Sequence, residues 1–191
     1  MHRVVTTKLP SVGRTREAMT AAGNTTTRLL GIFQKVEYVF LVGVGGGVPH
    51  YTDYSRHVRL GDVVVSTPAT DLKDNVDVGD GVFIEVSHPA PQGHHSRSRV
   101  HCAPVCGGRA VAGGGEVRAA FAAHAHARAY DCELDAVLDS VVGNCKDCFI
   151  SIRGISDYRD GTRGKEWQAH AALAAAAVMK AIIVAMDPPA D

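Results

Sequence analysis

A chain of 191 residues is long enough for one α/β domain and needs no second. Twenty Lys and Arg balance twenty Asp and Glu, which argues against the clustered basic surface that a nucleic-acid backbone requires. Five cysteines without framework spacing fit reduced thiols, and 46% hydrophobic with 21% charged residues fits an ordinary soluble enzyme.

The N-terminal MHRVVTTKLPSVGRT is interrupted by Lys8 and Pro10 before any signal-peptide core. The longest apolar stretch, Ala171–Met179, is too short for a membrane span, so the expectation is a cytoplasmic protein with no membrane partner. A helix is predicted within 13–34, broken or restarted near Gly23 and Asn24, and a buried strand over Tyr38–Val42. The glycines at 43, 45, 46 and 47 read as a loop where the backbone can approach a ligand closely. A second strand follows at Asp62–Ser66, and a helix between two strands suggests a sheet buried on both faces.

Residues 67–115 read as mostly long loops, with short strands at Phe83–Val86 and Val100–Val105. A helix is predicted over 116–129, with Val117, Ala120, Phe121 and His124 on one side, and another over Glu133–Val142, ended by Gly143 and Asn144. Cys148–Arg153 reads as a strand. The last helix starts near Lys165 and runs to about Met186, stopped by Pro188 and Pro189. No repeat is evident, and the whole chain, 1–191, reads as a single domain.

The stretch FISIRGISDYRDGTRGKEWQ, 149–168, puts Asp157 just past the carboxyl end of a buried strand. A partly enclosed carboxyl there can serve as a proton donor; equally, Asp157 can cap a turn with Tyr158 and Gly161. Arg153 reads as half of a structural ion pair, to Asp157 or to a neighbouring loop.

Strand plus IRGISDY resembles the signature of the nucleoside phosphorylase and nucleosidase superfamily. The resemblance implies that Asp157 protonates a purine at N7 while the N-glycosidic bond breaks. YDCELDAVLD, 130–139, matches the family's met-glu segment, with Cys132 in the methionine's place and Glu133 in that of the glutamate that binds the ribose hydroxyls. The Val42–Val48 glycines and GDVVVS, 61–66, match a third landmark. VPHYTDYSRHVRLGDVVVS and RGISDYRDGTRGKEWQAHAALAAAAVMKAI are most similar to the eukaryotic branch often joined to ankyrin repeats or signalling modules. The implied fold is a three-layer α/β/α domain with a mixed central sheet, lacking the family's first strand. The implied substrate is a purine nucleoside or nucleotide, with Asp157 catalytic and Gly45, Gly46, Gly47, Cys132, Glu133 and Ser156 binding it. No cofactor is implied, and a homo-oligomer is expected.

Leu41 stands where phosphorylases of the family place a phosphate-binding arginine, which favours water over phosphate as the nucleophile. The alternative is a catalytically inactive nucleoside-binding or assembly module on the same fold, suggested by the missing strand. Cys145 and Cys148 form a lone C-x-x-C, with Cys102, Cys106 and His101 elsewhere; buried thiols, not a metal, are expected. His94, His95, His124 and His126 lack ligand spacing, whereas His50 and His57 follow the glycines and could reach a ligand. Gly43-Val44-Gly45 begins a dinucleotide fingerprint, but Val48 and Pro49 leave no helix to open there.

Overall fold

The computed structural model describes residues 2–11, 13, 15–67, 83–85, 97–107, 115–159 and 165–187. Most of the predicted loop region, with His94 and His95, lies outside them, as do Gly161, Pro188 and Pro189. The elements in chain order are α1 (Arg16–Ile32), β1 (Tyr38–Gly47), β2 (Val63–Ser66), β3 (Phe83–Glu85), β4 (Arg97–Ala103) and β5 (Val105–Gly107). They continue with α2 (Gly115–His124), β6 (Ala129–Asp131), α3 (Leu134–Gly143), β7 (Cys148–Asp157) and α4 (Lys165–Ala185).

Alternation along β1 sorts its side chains between two layers. Phe40 and Val42 pack with Val63, Ile152, Ala174, Ala175 and Val178 beneath α4. Val39 and Leu41 pack with Ala22, Leu30, Val137 and Val141 beneath α1 and α3. Burying a side chain such as Val178 or Ile152 contributes about 1.5–3 kcal/mol, so this two-sided pattern is what holds helices on both faces. The result is the three-layer α/β/α arrangement expected.

The strands lie in the order β3-β4-β2-β7-β1-β6-β5. The pairs β1–β7, β2–β4 and β5–β6 are parallel, whereas β1–β6, β2–β7 and β3–β4 are antiparallel, so the sheet is mixed. β4 and β5 are one strip of chain separated only by Pro104, which cannot donate to a ladder. Its first part pairs with β2 and its second with β6, so the sheet curls around Val58, Val64, Ala103, Ala129 and Ile155.

A buried polar network ties the curl. Asp62 accepts from the backbone N–H groups of Arg59 and Arg99, both at 2.9 Å, from the Arg59 guanidinium at 3.0 Å and from His101 Nε2 at 3.1 Å. The Arg128 guanidinium lies 3.1 Å from His101 Nδ1. Arginine can only donate, so Nδ1 accepts and Nε2 carries the hydrogen given to Asp62. Burial pushes the Asp62 carboxyl up, but hydrogen bonds from His101 and Arg59 outweigh it and hold the carboxyl below the usual range.

Several boundaries differ from the sequence reading. α1 runs unbroken through Gly23 and Asn24, started by Thr15, whose hydroxyl accepts from Ala18 N–H at 3.1 Å. Gly23 is where α3 crosses: a Cβ there would lie 3.2 Å from the Ala136 carbonyl and 3.3 Å from Ser140 Oγ. α2 stops at His124, because Ala127 and Ala129 are drawn into the core and 129–131 forms a strand. Val117 and Phe121, expected on its buried side, are exposed, and Ala122 is buried instead. At the end of α3 the left-handed residue is Cys145 (φ 54), not Gly143 or Asn144. β7 continues four residues past Arg153 to Asp157. α4 as a whole, unlike Ala171–Met179, is long and apolar enough to cross a membrane by length and composition. Here it packs on the sheet through Trp167, His170, Ala171, Ala174, Ala175 and Val178, close enough that a Cβ on Gly154 would lie 1.9 Å from the Ala171 carbonyl.

Candidate functional site

Of the residues singled out in the sequence, Gly45–Gly47, Ser156 and Asp157 lie at the carboxyl ends of β1 and β7. The expected glycine loop is strand: β1 continues through Gly47, with Gly45 opposite Ile155 and Gly46 opposite Asp157 on β7. On its other side Gly46 pairs with Tyr130 and Gly47 with Ala129. The three glycines therefore lie within ladders and form no free loop. The register brings Asp157 to one side of Gly46 and Tyr130 to the other.

Asp157 closes β7 with 9% of its surface exposed, next to fully buried Ser156, and accepts the Arg159 N–H at 2.7 Å. This short local bond is the turn cap that the sequence offered as the alternative to a proton donor. Cys132 and Glu133 are buried, at 6% and 7% exposed.

Glu133 occupies the N-cap of α3, but its side chain makes no cap bond to its own helix. The carboxylate instead accepts the backbone N–H of Gly13. Burial, then a hydrogen bond with the Asp131 carboxyl, pushes Glu133 up to about 7.

Arg153 is half of a buried ion pair, but its partner is Asp131 rather than Asp157 or a loop. Sequence reasoning passed over Asp131. Its only signal was a second carboxylate two residues before Glu133, and pairing with Arg153 depends on β1 lying between β6 and β7.

The segment after β1 returns to the site. His50 N–H donates to His57 Nδ1 at 3.1 Å, and the His57 ring lies 5.9 Å from Tyr51 and 6.0 Å from Tyr158. Tyr158 covers Gly47, where a Cβ would meet its ring at 3.3 Å. His57 thus stands beside Tyr158, the residue after Asp157, and His50 reaches it through its backbone. A separate groove between α1 and α3, lined by Arg16, Asn24, Thr27, Asp135, Asp139 and Ser140, includes none of the predicted site residues.

Among the described residues, no group of three or more His, Cys, Asp or Glu could hold a metal ion. Cys145 and Cys148 are exposed and not buried as expected, because the turn before β7 stands clear of the core. Cys106 is buried, and burial pushes its thiol up to about 11.

No protein-family model matches the chain, and no curated protein matches it by sequence. Solved structures do match its fold. The 5′-methylthioadenosine/S-adenosylhomocysteine nucleosidase of S. pneumoniae, solved with a transition-state inhibitor, superposes with a TM-score of 0.59 at 17% identity, over 88% of this chain and 78% of that one. The nucleosidase of Colwellia psychrerythraea, in complex with adenine, gives 0.56 at 19% identity, over 88% and 72%. Futalosine hydrolase of Helicobacter pylori gives 0.57 at 15% identity, over 92% and 77%. The chain thus has the α/β fold seen in nucleosidases and futalosine hydrolase, with Asp157 at the carboxyl end of β7 beside the glycines that end β1.

Proposed function

We propose that this chain cleaves the N-glycosidic bond of a purine nucleoside or nucleotide with water, Asp157 serving as the acid and Glu133 holding the sugar. The observation that carries this reading is the register around Gly46, which has Asp157 on one side and Tyr130, three residues before Glu133, on the other. The shared fold adds support, since one matched nucleosidase was solved with adenine and another with a transition-state inhibitor.

The chemistry follows from the groups. The bond from C1′ to the base nitrogen breaks through an oxocarbenium-like state, and its electron pair leaves with the purine. Asp157, in its acid form, passes a proton to the purine at N7, so the base departs neutral. The oxygen of water joins C1′, and a proton of that water restores Asp157. Glu133 takes hydrogen bonds from adjacent sugar hydroxyls, Gly45–Gly47 supply the floor, and Cys132 and Ser156 line it beside the two carboxyls. His57 and Tyr158 form the wall beside Gly47.

Water is favoured over phosphate for two reasons. Leu41 lies in the apolar cluster under α1 and α3, so no charge at that position meets a phosphate. The buried cation nearest the glycines, Arg153, is neutralised by Asp131. A second reading, an inactive nucleoside-binding module, is favoured by one contact: Gly13 N–H already occupies a carboxylate oxygen of Glu133. Base release from adenosine, inosine, methylthioadenosine and ATP, with and without phosphate, separates the readings. Release without phosphate supports the hydrolase, and release only with phosphate overturns the choice of water. Binding with no release from any of the four leaves the module.

A further inference from the structure

Arg153 rises from β7 opposite Gly43. A Cβ on Gly43 would lie 2.8 Å from its terminal nitrogen, and a Cβ on Gly45 would lie 3.1 Å from its own Cβ and 3.3 Å from its Cγ. Alternate residues of a strand share a face, so glycines at 43 and 45 leave a trench across β1 that this side chain fills. The guanidinium passes over β1 and pairs with Asp131 on β6. Nε donates to Ser151 Oγ at 3.2 Å, and the other terminal nitrogen lies 3.4 Å from the Val44 carbonyl.

Asp131, 1% exposed, does two things with what remains. Its second oxygen accepts the Glu133 N–H at 3.1 Å, which fixes the start of α3. Its carboxyl also stands beside that of Glu133, and burial, then this neighbour, raises the latter. The charged groups facing the Glu133 carboxyl are Asp131 from β6 and Arg153 from β7, with the Gly13 N–H from the N-terminal segment. Asp131 also raises Asp135, in the first turn of α3, after burial and Asp139.

We propose that Arg153 is a positioning residue, which reaches through the Gly43–Gly45 trench to hold Asp131 so that Asp131, bonded to the Glu133 N–H, fixes the orientation of Glu133 where it meets the sugar. This rests on the sugar role given to Glu133 above. It also gives the alternating glycines of β1 a purpose other than touching ligand.

The test combines two readouts. Carboxyl carbon NMR of the ligand-free chain follows Glu133 through its titration and needs no activity, while calorimetry compares binding of adenosine with that of adenine. Asp131→Asn removes the like charge, so the Glu133 midpoint falls. Arg153→Met removes the cation, so the midpoint rises. Both variants lose about tenfold in adenosine affinity, the scale of one charge-assisted hydrogen bond, with adenine affinity within about twofold of the parent. Arg153→Lys keeps the charge without the fork, and holds the midpoint while still weakening adenosine; it stands in for Arg153→Met if that variant does not fold. If the unmodified chain binds adenosine but neither midpoint nor affinity moves in the variants, the positioning role is overturned. If the unmodified chain binds adenine but gains nothing from the sugar of adenosine, the sugar role of Glu133 is overturned instead.

Discussion

Two carboxylates with nearly the same burial meet opposite fates in this molecule. Asp62 sits among Arg59, His101 and the Arg99 N–H, and these donors outweigh burial, holding it in the charged form. Glu133 sits against another carboxyl with a single backbone donor, and burial pushes it up to about 7. The first network is closed, with every donor directed at the carboxylate it stabilises, and it joins β2, β4 and the entry to β6. The second remains undersupplied with donors, in a place where a ligand's hydroxyls would supply more. A saturated buried charge builds the fold, whereas an undersupplied one marks where chemistry is expected.

The contrast breaks most sharply at Asp62. Asp62→Ala leaves His101 and the Arg59 and Arg99 donors buried without their acceptor, and is expected to cost about 3–5 kcal/mol by denaturant unfolding at neutral pH. The sign with pH follows from its lowered value. Asp62 contributes stability above the unfolded carboxylate range, lost as pH falls through its folded value, so parent and Asp62→Asn should converge in acid below that value.

Smaller, and on the other network, is the trench. A Cβ on Gly45 would come within 2.8 Å of the Tyr130 carbonyl, which is backbone, whereas one on Gly43 meets only the far end of Arg153. Gly45→Ala is expected to cost about 1–3 kcal/mol of stability and Gly43→Ala less, measured by the same unfolding experiment. Equal effects would mean that strand pairing, and not the Arg153 path, sets the need for glycine.

The smallest expected effect is Glu133→Gln. Glu133 is raised in the folded chain, so its burial costs nothing below about pH 4.5, and the cost grows as pH climbs through about 7. The glutamine variant should therefore gain stability over the parent as pH rises through that window. The gain should be on the order of 1–2 kcal/mol after allowing for its partly open side. An unfolding midpoint difference that stays flat with pH would show that Glu133 is not the undersupplied member.

Much of this was visible in the residues themselves. The position of Asp157 at a strand's carboxyl end was legible because an apolar run before it marks a buried strand, whereas Glu133 at a helix start came from the resemblance to a family segment. β7 and α4 followed from apolar runs bounded by polar residues. The glycines of β1 misled, because a run that can make a loop makes a strand equally well when a long side chain must cross it. Asp131 stayed hidden for a related reason: its partner is 22 residues away in the chain, and only the order β7-β1-β6 joins them. β6 itself is three residues after an alanine-rich helix, too short for alternation to register. The buried Asp62–His101–Arg128 network had no signature in spacing at all, since its members come from three separate segments.

The central claim is that Asp157 protonates the departing base. It is tested most directly by comparing parent and Asp157→Asn on two substrates, adenosine and p-nitrophenyl riboside, whose leaving group needs no proton. The account predicts that the variant loses roughly 10²–10⁴-fold in kcat for adenosine while keeping cleavage of the activated riboside near the parent rate. Equal losses on both substrates, or none on adenosine, would contradict it.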